Sequence, residues 1–207
     1  MKYLASLFLL IALAVPCLAQ TPRYPVSANR ITDLKQAKPM LQEFAGSYGL
    51  AAINARTGLG FSGALEVTDS KIDIVFDRTY AGQGSIAAID TPQVFVFSSI
   101  LVGQDTVNSG GLFYAEFNYK TSSGVTVTLG LRFYPTKRCV GAATLTDSEG
   151  TETGSLIAFF APVSSDAEFI DFLSQAAQVF RSALVADDPV AVLTGWANGT
   201  WRNPNEQ

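Results

Sequence analysis

Between Ser47 and Ala161 the chain alternates apolar and polar residues with a period of two, in short runs divided by turn residues. A strand points successive side chains to opposite faces, so each run has one dry side that must be buried against something. Nine runs are legible, near 47–56, 60–67, 71–77, 84–89, 93–101, 111–120, 124–134, 138–147 and 154–161. Short, evenly spaced strands of this kind form antiparallel meanders. The clearest unit is Leu112 to Tyr134. Phe113, Ala115, Phe117 and Tyr119 share one face, the chain turns at Thr121 to Gly124, and Val125, Val127, Leu129, Leu131 and Phe133 share the dry face on the return.

A sheet of eight or nine such strands must curl or split to cover its dry face, and closure also removes its edges. The expected fold is therefore mainly β: an antiparallel meander of 8–9 strands forming a barrel or half-barrel. A two-sheet sandwich, or an open sheet wrapped round a helix, explains the same periodicity. Val94 to Phe97 is apolar on both faces, which predicts a strand lying under another element.

At Ser165 the period becomes helical. Ser165 and Glu168 have the spacing of a capping box, and Phe169, Phe172, Leu173, Ala176, Phe180 and Ala183 follow on one stripe. This predicts a long C-terminal helix over about 165–185, docked on the sheet and broken at Asp187, Asp188 and Pro189. Val190 to Trp196 reads as a last short helix or strand. Ahead of the strands, a short helical piece is expected around Pro39 to Ala45, with Pro39 in its first turn and Gly46 as its stop.

Residues 1–19 have the character of a secretory signal. A charged start at Lys2 precedes an apolar run from Tyr3 to Val15, then Pro16 and Cys17-Leu18-Ala19, with cleavage expected after Ala19. The apolar run is shorter than the roughly 20 residues that cross a bilayer, so no membrane span is expected after cleavage. Residues preceding Cys17 do not resemble a lipoprotein signal. The reading is a secreted or periplasmic protein, with 20–37 a loose leader and 38–207 a single domain.

Removing residues 1–19 takes Lys2 with it and leaves 13 basic against 18 acidic residues, a balance of −5 that disfavours nucleic acid as a partner. It also leaves Cys139 as the sole thiol, so no internal disulfide can form, and a small buried hydrophobe is its expected role. The chain has no histidine. Triads and metal sites built on imidazole are thereby excluded, and no cofactor or metal site is expected. Carboxylates such as Glu66, Asp73 and Glu116 are what remains for catalysis, and no spacing pairs them, so a carboxylate enzyme is the weakest of the readings.

The order of parts resembles the lipocalin and wider calycin architecture: a short helix, a Gly-x-aromatic opening to the first strand, a meander, then a helix packed outside. The residues that carry this likeness are Gly46-Ser47-Tyr48, in the place of the family's Gly-x-Trp and with Tyr instead of Trp. The resemblance implies a cup for a small apolar ligand and a basic side chain, Arg132 or Arg138, covering the opening aromatic.

Other motifs have plainer readings. Gly58, Gly60 and Gly63 spell Gly-x-Gly-x-x-Gly, yet strand alternation continues through Phe61, Leu65 and Val67, so a hairpin turn and a bulge are expected in place of a dinucleotide loop. Asp147 to Glu152 gathers three carboxylates in a turn too short for an EF-hand. Asp105, Asn108, Gly110 and Gly111 make another polar turn. Asn198-Gly199-Thr200 is a possible glycosylation acceptor, and Trp196 and Trp201 beside it are read as packing residues.

The function that accords with these features is non-catalytic binding of a small apolar molecule or lipid inside the barrel, with Phe113, Phe117, Tyr119 and Phe133 as candidate mouth-lining residues. A structural or interaction module of an envelope or extracellular assembly, using strand edges or the tryptophan pair, is the alternative.

Overall fold

The computed structural model describes residues 29–54, 60–81, 84–86, 89–103 and 110–203. Residues 1–28 lie outside these, as do Gly58, Asp105 and Asn108. The strands are β1 (Asn29–Ile31), β2 (Gly46–Ile53), β3 (Gly60–Val67), β4 (Lys71–Ala81), β5 (Gly84–Ile86), β6 (Ile89–Val102), β7 (Phe113–Lys120), β8 (Thr126–Phe133), β9 (Cys139–Thr146) and β10 (Glu152–Pro162). Among the described residues three helices accompany them: α1 (Leu34–Gln42), α2 (Asp166–Val185) and α3 (Pro189–Asn198).

Every strand pairing is antiparallel, and the order β2-β3-β4-β6-β7-β8-β9-β10 returns to β2, closing an eight-stranded up-and-down barrel. β1 adds to β6 and β5 to β4, outside the ring. Closure leaves the sandwich and open-sheet alternatives without support.

The register is strongly staggered. Starting at Phe113, hydrogen-bonded partners run through Phe133, Cys139, Phe160, Leu50, Gly63 and Phe76 to Ile89, the first residue of β6. Phe113 itself neighbours the far end of β6, where Leu101 pairs with Tyr114. One circuit therefore climbs nearly the whole strand, which tilts the strands and widens the barrel for its strand number.

A wide barrel needs more than its own side chains to fill it, and α1 supplies them. Ala37 and Leu41 of the helix and Phe44 just after it are buried in the same cluster as Leu50, Ile72, Phe113 and Phe133. Phe44 meets Phe113 edge-on at 5.5 Å and Phe133 at 4.8 Å between ring centroids. Lys38 holds the helix to the β3–β4 turn through Asp69 at 3.0 Å. One end of the barrel is thus plugged.

α1 starts five residues before the expected position. Asp33 caps it by accepting the Lys35 amide at 2.9 Å, and Pro39 sits inside the helix instead of in its first turn. Lys35 and Pro39 are both exposed, so water can serve the Lys35 carbonyl that proline leaves unbonded. Residues 29–31 and 34–37, within the segment expected as leader, belong to β1 and α1.

α2 and α3 cover the outside of β2, β9 and β10. Phe172, Ala176, Val179 and Ala183 bury the stripe of α2 against Ala51, Ile157 and Phe159, with Leu193 and Trp196 of α3 completing a second core. A β-carbon on Gly49 would sit 2.8 Å from Phe172 and 2.9 Å from Phe169, so α2 lies closer to β2 than any side chain there permits. The α2 cap is shifted from the expected box. Ser165 accepts the Glu168 amide at 3.3 Å, while the Glu168 carboxylate accepts both the amide and the hydroxyl of Ser164 at 2.7 Å.

The expectation that Val94 to Phe97 lies under another element is corrected. Phe95 and Phe97 pack with the interior, but Val94 and Val96 are 39% and 57% exposed on the outer face. The covering helices sit over β2, β9 and β10, and β-branched residues suit an exposed strand by backbone preference alone.

Candidate functional site

Strand parity assigns the inward set on each element: Phe113, Ala115, Phe117 and Tyr119 on β7, Val127, Leu129, Leu131 and Phe133 on β8, and Leu156, Ala158 and Phe160 on β10. Their burial is graded along the barrel axis. At the α1 end and at mid-height, Phe113, Phe133, Phe160, Phe117, Leu129 and Leu131 are buried. At the opposite end Tyr119, Val127, Leu145 and Leu156 remain half-buried although they face inward. Among the described residues, the inward side chains are thus most deeply buried around Phe44 and at mid-height, and less so at the end opposite α1.

Of the four residues expected at a mouth, Phe113 and Phe133 belong to the plug, stacked on each other at 4.8 Å beneath Phe44. Phe117 is buried at mid-height against Phe97. Tyr119 sits at the end opposite α1, its ring 5.4 Å from that of Phe95. Sequence reading placed all four on one face but had no means of telling one end of that face from the other. It passed over Val127, Leu145 and Leu156 as site residues, and Gln93, which shares the inward side with its register partner Ile74.

Small residues line part of the wall. Ala115, Gly141, Ala158 and Ala52 lie on one hydrogen-bonded row, broken only by Leu131, and Ala143 lies beside it. The aromatic side chains Phe95, Phe97 and Phe117 occupy β6 and β7 across the interior. Among the described strand side chains, Glu66, Lys71, Asp73, Glu116, Lys120 and Arg132 take outward positions.

Glu66 accepts the Ser47 hydroxyl at 2.8 Å, Asp73 pairs with Lys71 at 2.6 Å, and Glu116 accepts from Arg30 and from buried Ser99, each at 3.0 Å. Glu66 and Asp73 are direct register partners on β3 and β4, whereas Glu116 lies on β7. The three carboxylates are not brought together.

Tyr48 begins the first barrel strand facing inward and donates its hydroxyl to the Phe44 carbonyl at 3.0 Å. Burial, with Cys139 alongside, holds its phenol above the usual range. Cys139 is itself buried and its thiol is likewise pushed up by burial, in keeping with the hydrophobe read from sequence. Neither arginine expected over the opening aromatic is seen there. Arg138 lies over the Trp196 ring at 5.0 Å and donates to the Trp196 carbonyl at 2.8 Å, while Arg132 faces outward opposite Tyr114.

No family model matches the chain, and no curated protein matches it. The closed barrel with a helix against its wall is compatible with a lipocalin-like architecture, and that likeness is one of form.

The remaining motifs resolve as structure. β3 continues into a strand pairing through Gly60 and Gly63, with a bulge at Ser62/Gly63, and no helix follows to cradle a pyrophosphate. Asp147 accepts the amides of Glu149 and Thr151 at 2.9 and 2.8 Å, making a β9–β10 turn. Trp196 is buried against Phe159 and Phe172, and Trp201 packs on the same cluster. Asn198 ends α3 with its amide against Gly110, where a β-carbon would approach within 2.7 Å. No group of three metal-ligating side chains occurs among the described residues. No described helix is long and apolar enough to cross a membrane. An open groove of about 520 Å³ lies beside α1, lined by Glu43, Phe44, Leu112, Pro135 and Lys137.

Proposed function

We propose that this chain is an exported, non-catalytic protein, secreted or periplasmic, that holds one small apolar molecule or lipid in the lumen of a lipocalin-like barrel, admitted at the end opposite α1. The observation that carries this reading is the burial gradient: inward apolar side chains are sealed around Phe44 yet stay half-buried at Tyr119, Val127 and Leu156. Wide stagger and the row of small residues support room inside. An apolar lumen favours an apolar guest because burying its surface releases about 25 cal/mol per Å². Organic extraction of purified protein followed by mass spectrometry tests the proposal, together with titration of the extracted protein by an apolar fluorescent dye. The expected result is a co-purifying lipid or one dye bound per chain; an empty protein that binds no dye removes the reading. Export is tested separately by sequencing the N-terminus of the exported form, which should begin at Gln20.

A second reading, an interaction module, draws on the exposed neighbours Val94 and Val96 on the outer face of β6. Its measure is mass in solution with crosslinking; a monomer that captures no partner rejects it.

A further inference from the structure

We propose that the open groove beside α1 is a binding site for a short apolar peptide with both termini free, its ammonium end set against Glu43 and its carboxylate end against Lys137. The proposal does not rest on the lumen reading above.

Three hairpins of the barrel turn in the same way. In the β7–β8 turn the Thr121 amide donates to the Val125 carbonyl and the Gly124 amide to the Thr121 carbonyl. Asp147, Thr151 and Gly150 repeat this pattern between β9 and β10, and Tyr134, Arg138 and Lys137 repeat it between β8 and β9. The last turn residue is left-handed each time, at φ 86° for Gly124, 85° for Gly150 and 62° for Lys137. Glycine suits such a position because a β-carbon is disfavoured there. Of the three turns, the β8–β9 turn alone keeps a side chain at this point, and that side chain lines the groove. Backbone strain retained where glycine would relieve it points to a side chain kept for use.

The other lining residues define what the lysine would meet. At about 520 Å³ the groove falls in the range of small-molecule sites, and Phe44, Leu112 and Pro135 give it an apolar lining on which Leu112 is 40% exposed. Glu43 and Lys137 are both exposed, and among the described residues neither belongs to an ion pair. Glu43 also stands at the C-cap of α1, where the carbonyl end of the helix adds to its negative field. A ligand with a single charge would meet one attraction and one repulsion. A zwitterion with an apolar body answers both charges and the lining between them, and an apolar peptide with free termini has that form.

Calorimetric titration of the purified protein with trileucine at low salt tests the proposal. Trileucine should bind, and N-acetylation or C-terminal amidation should each weaken binding by about two- to fivefold, the range of an exposed ion pair. Added salt should remove most of that difference. Lys137→Gly should abolish the preference for the free carboxylate over the amide while Lys137→Arg keeps it, and Glu43→Gln should abolish the preference for the free amine over its acetyl form. Thermal melts accompany each variant; Lys137→Gly relieves the left-handed strain and should be at least as stable as the parent, so its lost preference will not reflect unfolding. Trileucine that fails to bind at millimolar concentration, capped forms that bind as tightly as the free peptide, or preferences that survive Lys137→Gly and Glu43→Gln overturn the proposal.

Discussion

Phe44 reaches into the barrel from just beyond α1 and meets the ring of Phe133 at 74° with 4.8 Å between centroids. It also touches Phe113, so a residue outside the sheet holds together two strands that are already paired. The barrel is too wide for its strands alone to fill at this end, and the plug is part of its core. Phe44→Ala should lower stability by about 3–5 kcal/mol, measured by denaturant unfolding. A loss under 1 kcal/mol would mean that the plug is dispensable.

Glycines at β8 and β9 mark where the wall comes closest to itself. A β-carbon on Gly141 would collide with the Gly130 carbonyl oxygen, a backbone atom that cannot step aside. One on Gly130 would strike the end of the Tyr114 side chain, which lies across it. Gly130→Ala should therefore cost about 1–3 kcal/mol and Gly141→Ala more, by the same unfolding measurement. The reverse order would show that Tyr114 is held more rigidly than the ladder.

Lys137 occupies the left-handed region at φ 62° in the β8–β9 turn, where its amide donates to the Tyr134 carbonyl at 2.9 Å. A side chain costs about 1–2 kcal/mol in this conformation, and glycine gives back part of that gain through its freer unfolded chain. Lys137→Gly should raise stability by several tenths to about 1 kcal/mol. Lys137→Val should lower it.

Acid should loosen the helices before the barrel. The Ser164 hydroxyl and amide hold Glu168 below the usual carboxylate range, and a hydrogen bond and the charge of Lys38 do the same for Asp69. A carboxylate depressed in the folded state contributes stability above its unfolded pKa and loses it as pH falls through the folded value. Stability should therefore decline as pH drops below the ordinary carboxylate range, and Glu168→Gln should flatten that decline. Unfolding curves collected across the acid range decide it.

Cys139 faces the interior beside Tyr48, and burial keeps its thiol protonated and inaccessible. Native protein should react with a thiol reagent only as fast as it unfolds. Rapid labelling without denaturant would indicate that solvent reaches the plugged end.

Phe113, Phe117, Val127, Leu129 and Asp147 to Glu152 show what was legible beforehand. Alternation and turn residues are local properties, so nearly every strand, the β9–β10 turn and the α2 stripe could be read along the chain. Val94 and Val96 misled because an apolar residue on a strand reports backbone preference as readily as burial. The candidate site was half legible: parity named Tyr119, while its neighbours at the lip escaped notice because nothing local separates one end of a strand from the other.

What the amino-acid order determined by itself is which residues form strands and which side of each strand is dry, since both depend on neighbours two to four positions apart. Tertiary structure alone decided that β10 returns to β2, that β4 meets β6, and that Phe44 stops one end of the lumen. Those contacts join residues distant in the chain, and their register follows from how tilt, width and filling volume are reconciled around a closed ring.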